Sequence, residues 1–111
     1  MVFDVTAMLQ YCWSDEAHSD KMITSKNKPL AVDLFAGAGG FSLAAIEAGF
    51  QIGFAIENDA YAVATYKKNL LGRDGAQNTK LLDQSILEYS AEQTRDEFLR
   101  DAECDLLLGG P

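Results

Sequence analysis

Hydrophobic and polar positions along this chain change character near Pro29. Before it, "VTAMLQYCW" reads as a short helix, and the following "SDEAHSDKMITSKNK" is polar with no sustained period. After it, apolar runs and glycine-bounded helical stretches alternate. "LAVDLF" predicts a buried strand, the glycines behind it a tight loop, and "FSLAAIEAG" a helix with Phe41, Ala44, Ala45 and Ala48 inward and Gly49 as its stop. "QIGFAIE" is a second apolar strand. "NDAYAVATYKKNLL" opens on helix-capping residues and carries Ala60, Val63 and Ala64 at helical spacing, before the loop "GRDGAQN". "TKLLD" predicts a third strand. Ser90 and Gln93 have the spacing of a capping box, opening a helix to about Ala102 with Phe98, Leu99 and Ala102 inward, and "CDLLLGG" a fourth strand. Strands alternating with helices of this length predict an α/β fold with a parallel sheet and right-handed crossovers.

Composition bounds the function classes. The 111 residues are 48% hydrophobic and 23% charged, which suits one small globular domain. The apolar runs are far shorter than the roughly 20 residues of a membrane-spanning helix, and the N-terminus lacks an export signal, so neither membrane nor secretion is expected. Nine Lys and Arg against seventeen Asp and Glu leave a formal charge of −8, the wrong sign for holding nucleic acid phosphates unaided. Cys12 and Cys104 match no metal-ligand spacing and read as free thiols in a reducing, cytoplasmic compartment. His18, in the polar segment, reads as a solvated surface residue.

The candidate chemistry lies in "DLFAGAGGFS". A strand, a glycine loop and a helix in this order form a ligand-binding turn, since absent side chains let backbone N–H groups approach a polar cofactor. Gly37, Ala38, Gly39 and Gly40 would do this. Glu57 lies twenty residues beyond Gly37 at the end of the second strand, where a carboxylate can accept from ribose hydroxyls, so the cofactor should contain a nucleoside. A nicotinamide or flavin domain fits the same pair. Two residues speak against it: Asp33 inside the strand would repel a pyrophosphate, and Ser42 replaces the small apolar residue that close helix-to-strand packing prefers.

"DLFAGAGGFS", "ENDAYAVATYKKN" and "LLLGGP", in that order and spacing, resemble the opening motifs of the DNA cytosine-5 methyltransferases over about residues 29 to 111. The resemblance implies a Rossmann-like S-adenosylmethionine-dependent methyltransferase fold, with cytosine in DNA as methyl acceptor. It matches Phe35, Ala36, Gly37, Gly39 and Gly40 to the loop around the cofactor's methionine part, Phe41 to the start of the next helix, and Glu57 to the ribose-binding acid. Asn58 stands where the family often sets an apolar or aromatic side chain against the adenine. Asp59, Tyr66 and Asn69 match recurring positions and read as a helix cap and packing or surface residues. The adenine-binding pair is Ser85 with Ile86, or alternatively Asp83.

In the family a further proline and the nucleophilic cysteine follow the run that ends here in Pro111, itself matched to the cofactor site. The resemblance therefore implies that residues 29–111 are the N-terminal part of the catalytic domain, preceded by an extension over 1–28, with no catalytic nucleophile and no metal site of their own. The remaining polypeptide would act in cis, or in trans as in a split enzyme. A non-catalytic nucleoside-cofactor-binding module is the other reading. The family's strand order sets the first three strands outward in one direction and the fourth on the first strand's other side. That order makes "CDLLLGG" an apolar edge and predicts self-association.

Overall fold

The computed structural model describes residues 28–100 and 102–111. The expected N-terminal helix, Cys12 and His18 lie outside the described residues. Four parallel strands form one sheet in the order β3-β2-β1-β4: β1 Leu30–Leu34, β2 Gln51–Ile56, β3 Lys80–Leu82 and β4 Leu106–Gly109. Helices α1 (Gly40–Glu47) and α2 (Ala60–Asn69) connect the first three strands. A 3₁₀ turn at Ile86–Glu88, helix α3 (Ala91–Thr94) and a π-helical turn at Arg95–Leu99 lead to β4. This is the α/β order that the alternation of patterns predicts.

Side-chain alternation on β1 sorts the two faces. Leu30, Val32 and Leu34 join Phe54, Ile56, Leu82, Ala91 and Leu99 on one side. Ala31 faces the other way with Ala45 and Ile52, and Ala55 packs there with Tyr66 and Leu70. Helices α1 and α2 thus cover one face and the α3 segment the other. Small residues dominate the first face because two helices crowd it. One irregularity between Ala31 and Val32 skips Gly53 in the β1–β2 register. A Cβ at Gly53 would stand 2.7 Å from Leu99 Cδ2, so a side chain there would have to displace the leucine that the π-helical turn brings against β2.

Three expected details change. On α1 the buried residues are Ser42 and Ala45, whereas Phe41, Ala44 and Ala48 are exposed. The helix is apolar almost all round, so no polar stripe signals its rotation. On α2 the inward seam is Val63, Tyr66 and Leu70, with Ala60 and Ala64 exposed. Alanine suits either face and misled the pattern. The helix capped by Ser90 stops at Leu99 instead of Ala102, which is exposed, because Arg100 turns into the left-handed region at φ 54°.

Cys104 is also not the free thiol expected: it is buried and its sulfur is in a disulfide. Spacing along the chain does not report spatial proximity, and thiol chemistry no longer speaks for a reducing compartment. Among the described residues, no helix is long and apolar enough to cross a membrane.

Candidate functional site

The glycine loop leaves the carboxyl end of β1, Glu57 follows β2, Asp83 to Ile86 follow β3, and Gly110 and Pro111 follow β4. All sit at one end of the sheet. The strand order reverses between β1 and β4, the switch point at which open parallel sheets leave a crevice for a ligand.

The loop is a series of left-handed residues, with Phe35 at φ 56°, Gly37 at 57° and Gly39 at 106°. A non-glycine residue such as Phe35 adopts this region at a cost, so the surrounding structure must enforce it. Ala36 N–H donates to Ile56 O at 2.9 Å, Gly39 N–H to Ala36 O at 3.0 Å, and Gly37 N–H to Glu57 Oε2 at 2.8 Å. The end of β2 thereby braces the loop twice. The glycines divide into two kinds. A Cβ on Gly39 would stand 2.0 Å from Leu70 Cδ1 and 3.1 Å from Tyr66 Cδ2, so the fold itself demands this glycine. Beside Gly37 and Gly40 nothing lies within 4 Å of such a Cβ. At Gly40, whose backbone is ordinary, the fold does not require the missing side chain, and the space it leaves is free for a ligand.

Glu57 is the hub of the site. Its Oε1 accepts from the backbone N–H of Asn58 at 3.0 Å and of Asp59 at 2.9 Å, while Oε2 holds Gly37. A carboxylate offers about four lone-pair positions, so Oε2 retains one for a ligand hydroxyl. A second hydroxyl must displace one of the two N–H groups on Oε1. Asn58 is exposed, and Asp59 caps α2 by accepting from Ala62 N–H at 2.8 Å, as its sequence position suggests. Asn69 is exposed.

Asp33 lies within β1. It is fully buried, and Ser42 Oγ donates to its Oδ2 at 2.6 Å. Tyr66 Oη donates in turn to Ser42 Oγ at 2.8 Å. Burial pushes the Asp33 carboxyl up from its ordinary range, opposed by the Ser42 hydrogen bond. Burial likewise raises the Tyr66 hydroxyl to about 12, with the Ser42 hydrogen bond opposing and the Asp33 charge adding to the rise. Asp33 and Ser42 each look anomalous in the sequence; their pairing across nine positions explains both. The two anomalies were the available signal, and Leu70 gave none.

After β3, Asp83 is exposed, Ser85 accepts from Leu87 N–H at 3.3 Å as cap of the 3₁₀ turn, and Ile86 packs on the core. Phe35 and Phe41 are 39% and 53% exposed at the mouth of the site, apolar surface that solvent alone does not favour. A Cβ on Gly110 would meet Phe41 Cε2 at 2.9 Å, which brings the end of β4 against the start of α1. Pro111 is exposed beside it.

The family model of C-5 cytosine-specific DNA methylases matches residues 30–111, from the first residue of β1 onward. The chain belongs to this family. Among curated proteins, the chain is 31% identical over 80 residues to the type II methyltransferase M.HgiGI of Herpetosiphon aurantiacus, covering 72% of this chain and 56% of that protein. It is 30% identical over 80 residues to M.HgiDI of the same organism, covering 72% of this chain and 23% of the relative. The chain therefore spans between about a quarter and about half of these relatives. No solved structure matches it significantly. The chain corresponds to an N-terminal region of a C-5 DNA methyltransferase, a family that uses S-adenosylmethionine.

Proposed function

We propose that residues 29–111 are the N-terminal, S-adenosylmethionine-binding part of a catalytic domain that transfers a methyl group to carbon 5 of cytosine in DNA, with residues 1–28 an extension to it. The observation that carries this reading is the bond from Gly37 N–H to Glu57 Oε2, which joins a glycine loop to an acceptor carboxylate at the carboxyl end of the sheet, beside its switch point. The free space beside Gly37 and Gly40 and the remaining lone pair on Glu57 fit a neutral nucleoside better than a phosphate.

In this reading Phe35, Ala36, Gly37, Gly39, Gly40 and Phe41 line the methionine part, and Glu57 accepts from the ribose. Asn58, Ser85 and Ile86 stand along the adenine, with Asp83 as the alternative acceptor and Pro111 closing the site. When bound, the cofactor supplies an electrophilic methyl group on a sulfonium. The chain's own task is to orient that group and shield it. The cysteine that must add to cytosine is expected in the polypeptide following the Gly-Gly-Pro run, joined in cis or supplied in trans. Cytoplasmic DNA is the substrate of the assembled enzyme, and its phosphates are held by that other part, given the −8 charge here.

Calorimetry of the chain with S-adenosylhomocysteine and with a nicotinamide dinucleotide tests the reading. Preference for the former is expected, and tighter binding of the dinucleotide overturns it. Glu57→Ala removes the ribose acceptor and the brace on Gly37 together, so affinity should fall by roughly tenfold or more, on the scale of about 1 to 3 kcal/mol for bonds to a charged group.

A further inference from the structure

Below the glycine loop lies a polar chain that the ligand contacts proposed above do not use. Tyr66 reaches from α2 to Ser42 on α1, and Ser42 reaches to Asp33 on β1, all three being fully buried. Ser42 engages the Asp33 carboxyl with its hydroxyl on Oδ2 and also with its backbone N–H. Asp33 stands two residues before Phe35, and Ser42 two residues after Gly40, so the chain grips both ends of the loop. The same α2 seam touches the loop's middle: Tyr66 Cδ2 and Leu70 Cδ1 fill the space a Cβ on Gly39 would need.

Resting on the reading of this loop as the cofactor site, we propose that Tyr66, acting through Ser42 and Asp33, is a positioning residue that sets the glycine loop for the adenosyl cofactor. It touches no ligand. Its ring fixes Gly39 from one side while its hydroxyl orients Ser42, the one polar side chain that α1 turns toward the sheet. Loss of the hydroxyl leaves the ring packed but lets the strand–loop–helix turn relax. That effect belongs to the loop and not to the rest of the sheet.

The test uses the 111-residue chain with Tyr66→Phe, Ser42→Ala, the double variant, and Leu99→Val, which loosens packing on the opposite face. Two quantities are read: affinity for S-adenosylhomocysteine, and amide hydrogen exchange at Ala36, Gly37 and Gly39 compared with Ile52, whose N–H is bonded to Gly75 O at the far end of β2. Tyr66→Phe and Ser42→Ala should each weaken binding about threefold to tenfold and speed loop exchange by a similar factor, leaving Ile52 unchanged. The double variant should do no worse than Ser42→Ala, since both act on one chain of bonds. Leu99→Val should lower the melting temperature while sparing affinity and loop exchange. Unchanged loop exchange in Tyr66→Phe, or equal losses in Leu99→Val, overturns the positioning role. If the wild-type chain does not bind S-adenosylhomocysteine, the cofactor reading fails, and the exchange comparison still decides whether Tyr66 sets the loop.

Discussion

Gly39 and Gly40 are neighbours with opposite reasons for being glycine. Gly39→Ala meets both a left-handed backbone at φ 106° and a Leu70 methyl at 2.0 Å, so it should cost about 2 to 4 kcal/mol in a denaturant titration. In a Leu70→Ala background the same substitution should cost less, because the collision disappears while the strain stays. Gly40→Ala should leave stability unchanged or raise it by up to about 1 kcal/mol, yet weaken S-adenosylhomocysteine binding where a methyl enters the free space. Unimpaired binding would show that the ligand lies elsewhere. Asp33 gives a pH signature. Its carboxyl is raised in the folded state, so the folded protein binds more protons than the unfolded chain from about pH 3.8 up to the raised value. Its contribution is thus greatest below that range and lost as pH rises through it. Asp33→Asn should therefore gain in melting temperature relative to wild type as pH rises through this window, then hold a constant difference. Both glycines are visible in the sequence, but the division between them is not, since Leu70 arrives from 31 positions away.

At the scale of elements, the strands were the legible part. The runs "LAVDL" and "QIGFAI" became strands whose residues are mostly buried, with Asp33 the one charged member, held by Ser42. Helix rotation was less legible. "FSLAAIE" offers apolar residues in every direction, and the inward face was settled by Ser42 finding Asp33 and by Ala45 fitting against Ala31 and Ile52. Helix ends depended on caps. Ser90 Oγ accepts from Gln93 N–H at 3.1 Å as its spacing suggests, and Ser90→Ala should cost about 1 kcal/mol by thermal melt. The far end of that helix widened into a π-helical turn that packs Leu99 on Gly53 and Leu30. A residue count cannot foresee this, because the gain comes from a strand distant in sequence.

For the whole molecule, β4 pairs on one side with β1, from Ala31↔Leu106 to Leu34↔Gly109, and has no other strand partner among the described residues. Leu106, Leu107 and Leu108 are only half-buried on that edge. An apolar edge of this kind recruits further strands, so sedimentation of the 111-residue polypeptide should show concentration-dependent self-association. A concentration-independent monomer would mean that the edge is already covered. Labelled methyl transfer to cytosine by the same polypeptide alone should be absent, as the Cys104 sulfur is buried in a disulfide and the −8 charge repels DNA. The sequence by itself determined the class of fold, the strand count and the glycine loop after the first strand, because period, caps and glycine punctuation are local properties of the chain. Only the tertiary structure decided the rotation of α1 and α2, the pairing of Asp33 with Ser42 and Tyr66, the state of Cys104 and the engagement of Glu57 with Gly37. Each of these depends on which distant side chain arrives within a few ångströms, and packing, not local preference, sets that.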